Sequence, residues 1–213
     1  MGGDLGGIQK RGKLKTMKII LDQFNRVKSL ENSNFIANTD WEKLSRVDVI
    51  LIGDNPGKKE KEEGRFFQGG TKAIMDLVIS NLNKNHRCVL VMNKSNYYTD
   101  NTKEINQILS QEKENSIIIK DIKSNANLVN ELGKNAEIVL FGITKNNLHR
   151  LFMSNLSDEV KNKIIQLKHP SRHNLAGQLT EYFLNQMNSD NEIPTDILKI
   201  FKEISLNKLL NSH

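Results

Sequence analysis

Apolar residues along this chain fall into two patterns: short unbroken runs, and longer stretches where they recur every three or four positions. Val-Ile-Leu-Ile at 49–52 and Val-Leu-Val-Met at 89–92 are runs of the kind found in strands covered on both faces. With polar or glycine borders taken into account, strands are predicted at 47–53, 88–93, 137–142 and 163–168. Residues 116–120, with three consecutive isoleucines, suit a fifth strand or a helix equally. Helical spacing fills the intervals. Residues 17–30 place Ile20, Phe24, Val27 and Leu30 on one stripe, and 71–82 do the same with Ile74, Leu77, Val78 and Leu82. Residues 175–187 offer Leu179, Tyr182, Phe183 and Met187, and Pro194 opens a last helix with Ile197, Ile200, Phe201 and Ile204 inward. Alternating strands and helices predict an α/β protein: a three-layer α/β/α sandwich with a short, mainly parallel four-stranded central sheet. In such sheets ligands bind beyond the carboxyl ends of the strands, where strand order reverses. The search for chemistry therefore narrows to the residues from Gly53, Asn93, Gly142 and His169 onward.

Composition adds boundaries. A length of 213 residues suits one domain, expected over 17–213, with the Gly- and Lys-rich 1–16 as a flexible leader. The single cysteine, Cys88, excludes an internal disulfide and a four-thiolate zinc or iron–sulfur site, and fits a reducing compartment. No apolar run reaches the roughly 18 residues that span a bilayer, and the start of the chain has no signal-peptide core. A cytoplasmic protein is expected, nucleoid-associated in a bacterium, with no membrane contact. The formal charge of +6 favours a polyanionic partner, although lysines on a solvated surface give the same sum. His86, His149, His169, His173 and His213 have no metal-ligand spacing with carboxylates, so neither metal nor other cofactor is expected.

The first strand ends in Gly53-Asp54-Asn55-Pro56-Gly57. Pro56 fixes its own backbone and biases Asn55 away from helix, so the loop presents Asp54 and Asn55 rigidly at the sheet edge. A phosphate loop of Walker type needs four residues before Gly-Lys and then Ser or Thr; here there are three, and Lys59 follows Lys58. An ordinary Asn-Pro-Gly turn would explain the loop if it stood alone. Next comes Gly64-Arg65-Phe66-Phe67-Gln68-Gly69, whose aromatic pair could stack a base, a contact worth about 1–3 kcal/mol. One phenylalanine is expected in the core, and Phe67 is assigned to the pocket.

The order of Gly-Asp-Asn-Pro-Gly after an early strand and His169-Pro170-Ser171 after a late one resembles the uracil-DNA glycosylase superfamily. Residues 53–57 look most like the mismatch-specific branch, and Glu63 through Gly70 are more similar to the iron–sulfur branch, although the cluster cysteines are missing. The likeness spans about 46–185, with Asn93 and Phe141-Gly142 at matching places. It implies a cofactor-independent, monofunctional DNA glycosylase acting in base-excision repair on uracil or a related damaged or mismatched base. The alternative is a weak or silent relative that binds nucleic acid or a modified base.

The resemblance also assigns roles. His169 would donate a hydrogen bond to the leaving base, Asn55 would hold the attacking water, and Asp54 would supply a carboxylate if it faces the pocket. Gly53, Pro56, Gly57, Phe67 and Asn93 would bind the substrate, Asn93 by reading the base edge. Taken without the resemblance, His169 and Asn93 are equally ordinary turn residues. Lys58, Ser171, Arg172 and His173 would contact DNA, with His173 standing where several branches carry a wedging leucine. Lys94 and Lys168 are further candidate phosphate contacts, and Tyr97 and Tyr98 candidate pocket residues. The partner implied is DNA containing the lesion, and the protein is expected to be a monomer.

Overall fold

The computed structural model describes residues 5–30, 34–142, 146–171, 174–189, 192 and 194–210. At its centre lie β1 (Val49–Gly53), β2 (Val89–Asn93), β3 (Glu137–Phe141) and β4 (Ile164–Leu167), in the order β2-β1-β3-β4 and all parallel. Each lies inside its expected range. All five residues of β1 are buried, as befits a central strand between two layers. Register brings Gly53 level with Asn93, and Phe141 level with Leu167.

Successive strand residues point to opposite faces and divide the core in two. Ile50, Ile52, Leu90, Met92, Ile138 and Leu140 face one layer, built from α1 (Leu5–Lys28), α4 (Thr102–Gln111), α5 (Ile117–Leu132) and α6 (Asn147–Ser154). Val49, Leu51, Val139, Phe141, Ile165 and Leu167 face the other, built from α3 (Lys72–Lys84), α8 (Leu175–Asn188) and α9 (Ile197–Leu210). Two short helices, α2 (Lys58–Glu63) and α7 (Asp158–Lys161), complete the set. The first helix of the chain covers one face with Ile20, Phe24 and Val27. The last covers the opposite face, where Phe201 meets Phe141 edge-on at 6.2 Å.

Of the two readings of residues 116–120, the helix is the one found: the Ser116 hydroxyl caps it by accepting the Ile119 N–H. Other expectations need correction. The first helix begins at Leu5, so residues 5–16, set aside as leader, continue the helix expected from Met17. Leu77 is 73% exposed and Met187 66% exposed, although both were placed inward. The buried stripe of α3 runs through Met75, Val78 and Leu82, from which Leu77 is turned by more than a quarter circle. In α8, Met187 lies roughly 140° around from buried Tyr182. Among the described residues no helix is long and apolar enough to cross a membrane.

Candidate active site

From β1 the chain crosses to β2 on one side and then to β3 on the other, so the strand order reverses between β1 and β3. Four segments end there: Asp54-Asn55 after β1, Asn93-Lys94 at the end of β2, Gly142 after β3 and His169 two residues beyond β4.

Asn55 is oriented by the loop after β2. Its Nδ2 donates to Thr99 Oγ1 at 2.8 Å, and lies near the carbonyls of Pro56 (3.3 Å) and Tyr97 (3.5 Å). The Thr99 hydroxyl spends its proton on the Asn101 carbonyl at 2.8 Å, so toward Asn55 it can only accept. With oxygen acceptors on one side, the amide must face them with nitrogen. Asn55 Oδ1 is left buried and without a partner among the described residues. An unpaired buried acceptor costs about 1–3 kcal/mol, unless a donor arrives.

Asp54 turns the other way. Its Oδ1 accepts from Lys94 Nζ at 2.5 Å, and Lys94 also donates to the carbonyls of Phe141 (3.0 Å) and Gly142 (3.2 Å). Lys94 has no exposed surface, which corrects its expected role as a phosphate contact: it is a tie across the ends of three strands. Burial pushes its pKa down, and the Asp54 carboxylate pushes it back up. Gly142, at φ +75°, lies so close that an added Cβ would come within 2.7 Å of Asp54 Oδ2.

Gly53 permits the next contact. A Cβ there would strike Asn93 Oδ1 at 2.4 Å and the Phe67 ring at 2.8 Å, so the three residues close on one another. Phe67 is 7% exposed, holds a left-handed φ of 56° and packs edge-on against Phe141 at 5.8 Å. Such a conformation costs a bulky residue on the order of 1–3 kcal/mol, and the surrounding packing must impose it. Phe66 goes to the opposite core layer, beside Trp41. The side-chain amide of Asn93 makes no hydrogen bond with the described residues, although the residue is buried.

His169 is exposed as a residue, yet the groups crowding its ring lower its pKa below the ordinary 6.5. Burial is the main cause; Asp54 and Glu60 oppose the shift and Lys94 adds to it. The imidazole is therefore neutral at pH 7. Ser171 anchors its turn by donating its N–H to the His169 carbonyl at 2.8 Å, and its hydroxyl has no partner among the described residues. Arg172 and His173 lie outside the described residues. Lys58 is exposed at the start of α2, and Lys168 is exposed beside His169. Tyr97 packs on Phe35 and Tyr98 bonds Asp100 under the Lys61 ammonium, so neither ring is committed to the pocket.

Two contributors, Glu60 and His149, have no site role in the sequence reading, and Lys94 has a different one there. Glu60 accepts the Gly57 N–H (3.1 Å) through one oxygen and the Gln68 N–H (3.0 Å) through the other, clamping the Asn55 loop to the Phe67 loop. Gly57-x-x-Glu60 is a capping-box spacing and could have revealed it. Alternation with Leu90 and Met92 could have turned Lys94 inward. His149, in the first turn of α6, has a buried Nδ1 without a partner among the described residues and a pKa lowered by burial and by Lys94, against Asp54. No sequence signal marks it.

The sequence model of the uracil DNA glycosylase superfamily matches residues 41–190 of this chain. The chain belongs to that superfamily. Comparison with curated proteins gave no match. Superfamily membership accounts for the α/β sandwich, and proteins of the superfamily act on DNA. The matched segment holds every site residue named above, whereas α1 lies before it and α9 after it.

Proposed function

We propose that this protein is a monofunctional DNA glycosylase that hydrolyses the N-glycosidic bond of uracil, or of a related damaged or mismatched base, in DNA. The observation that carries the reading is the fixed amide of Asn55, whose buried Oδ1 has no donor among the described residues, next in the chain to the Asp54–Lys94 pair. A water molecule is such a donor. Extruding the base from the stack costs a few kcal/mol, least at a mispair or in a single strand. The flipped base would enter between Phe67 and the edge of Asn93, whose free amide offers a donor and an acceptor to uracil's N3–H and O4 pair.

The bond between the base nitrogen and C1′ breaks with its electrons passing to the base. The neutral His169 ring donates a hydrogen bond to the carbonyl oxygen where that charge collects, a contribution of roughly 3 kcal/mol for one well-aimed donor. Water held by Asn55 adds to C1′ and releases its proton to solvent, since an amide cannot accept it. No Schiff base is proposed, because Lys94 is sealed in the core with three acceptors. Lys58, the Ser171 hydroxyl, Arg172 and His173 are proposed to contact phosphates.

The second reading, a weak relative that binds rather than excises, is favoured by one fact: the carboxylate of Asp54 is engaged by Lys94. A working general base typically contributes about 10²–10⁴-fold, and this site would forgo it. Single- and double-stranded oligonucleotides bearing one labelled uracil, incubated with excess protein and then alkali, separate the two. Strand breaks that vanish with His169→Ala support excision. Tight binding without breaks on a panel of base lesions would leave only the binding reading.

A further inference from the structure

The loop that carries Asn93 hangs from two side chains of α5. Asp121, with no exposed surface, accepts from Ser95 Oγ (3.0 Å), the Asn96 N–H (2.7 Å), Asn96 Nδ2 (3.0 Å) and Arg26 Nη2 (2.7 Å). Asn125 Nδ2 donates to the carbonyls of Asn93 (3.1 Å) and Lys94 (3.4 Å). Its Oδ1 accepts from Asn96 Nδ2 (3.0 Å) and Gln23 Nε2 (2.7 Å). Gln23 Oε1 in turn accepts from Arg26 Nε at 3.0 Å and Ser124 Oγ at 2.8 Å. Both ends of the network therefore close on α1, a helix that lies before the segment shared with the superfamily.

What this network holds is the candidate site itself. The Ser95 N–H donates to the Asp54 carbonyl at 3.2 Å, and the same loop runs on to Thr99, which orients Asn55. A shift at Asn93–Asn96 would move both amides of the site at once. Stability alone does not call for such an arrangement, because a buried charged network can often be replaced by apolar residues without loss. Linked hydrogen bonds do fix a single geometry, and here only Asn96 Oδ1 is left without a partner among the described residues of the network.

We propose that Arg26 and Gln23 of α1 are positioning residues for the site, acting through Asp121 and Asn125 on the 93–96 loop. The catalytic part of this inference rests on the glycosylase reading; the mechanical part does not. Arg26→Ala leaves buried Asp121 with its Ser95 and Asn96 donors, so the variant should fold with lowered stability. Gln23→Leu, which spares the Asp121 ion pair, serves as the second variant.

The test measures three quantities on the full chain: amide hydrogen exchange, single-turnover uracil excision, and affinity for uracil-free duplex. In Arg26→Ala the Asn96 amide should exchange at least about tenfold faster while β1 and β3 amides keep their protection. Excision should slow by about tenfold with duplex affinity unchanged. Arg26→Lys should recover only part of the rate, since an ammonium can reach Asp121 but cannot hold Gln23 with a second, fixed nitrogen. Unchanged exchange at Asn96 overturns the proposal, as does a loss of protection spread evenly over all strands, or faster exchange with an undiminished rate. If the wild-type protein excises nothing, the glycosylase reading fails while the exchange data still decide the coupling.

Discussion

At the scale of single residues, the site depends on groups whose own partners leave them no choice. Thr99 gives its proton to Asn101 and so can only accept from Asn55, which turns Oδ1 toward the place proposed for water. Thr99→Val keeps the volume and removes the acceptor. Excision should fall about tenfold or more at unchanged DNA affinity, read from single-turnover rates beside binding curves. The strand-end motif Gly-Asp-Asn-Pro-Gly was legible because proline fixes the backbone locally and glycine permits the tight turns other residues resist. The direction of each side chain was not legible, since Thr99 lies 44 positions from Asn55. Phe66 and Phe67, adjacent in sequence, go to opposite core layers, and only the positive φ at Phe67 explains how it meets Gly53.

Among the elements, the central strands could be read to within two residues because each is a short apolar segment bounded by polar or glycine residues, whereas the isoleucine run at 117–119, equally apolar, opens a helix. Helices α4 to α7 went unassigned. They are opened by polar caps (Asn101, Ser116, Asn146 and Ser157) amid a sequence rich in Asn and Ser, where one cap looks like any turn. The joint between elements is Lys94, which ties the ends of β1, β2 and β3. Lys94→Met would strand Asp54 as a buried, unpaired charge, at a cost of about 3–5 kcal/mol. Lys94→Met with Asp54→Asn removes both charges and should regain most of that loss. Urea denaturation of the two variants decides it: equal stabilities would mean that the ion pair does not hold the strand ends.

For the whole molecule, acid should be the sensitive direction. His149 and His169 both have pKa values lowered from 6.5, chiefly by burial. Below about pH 6.5 the unfolded chain takes up protons that the folded chain refuses, so stability is complete above that value and falls as pH drops toward the depressed folded pKa values. Glu60, whose pKa burial raises, works in the opposite sense nearer its ordinary 4.5 and offsets part of the loss. Melting temperatures recorded from pH 7.5 to 5 should decline less steeply for His149→Gln than for the parent; parallel curves would exclude His149 as a contributor. The wrapping of the sheet carries a practical corollary. Its two outermost helices, α1 and α9, shield opposite faces, and both fall outside the 41–190 stretch common to the superfamily. A fragment trimmed to that stretch would lose Ile20, Phe24 and Val27 from one core layer and Phe201 from its contact with Phe141 in the other, and should emerge from expression as insoluble aggregate rather than as a minimal folded unit.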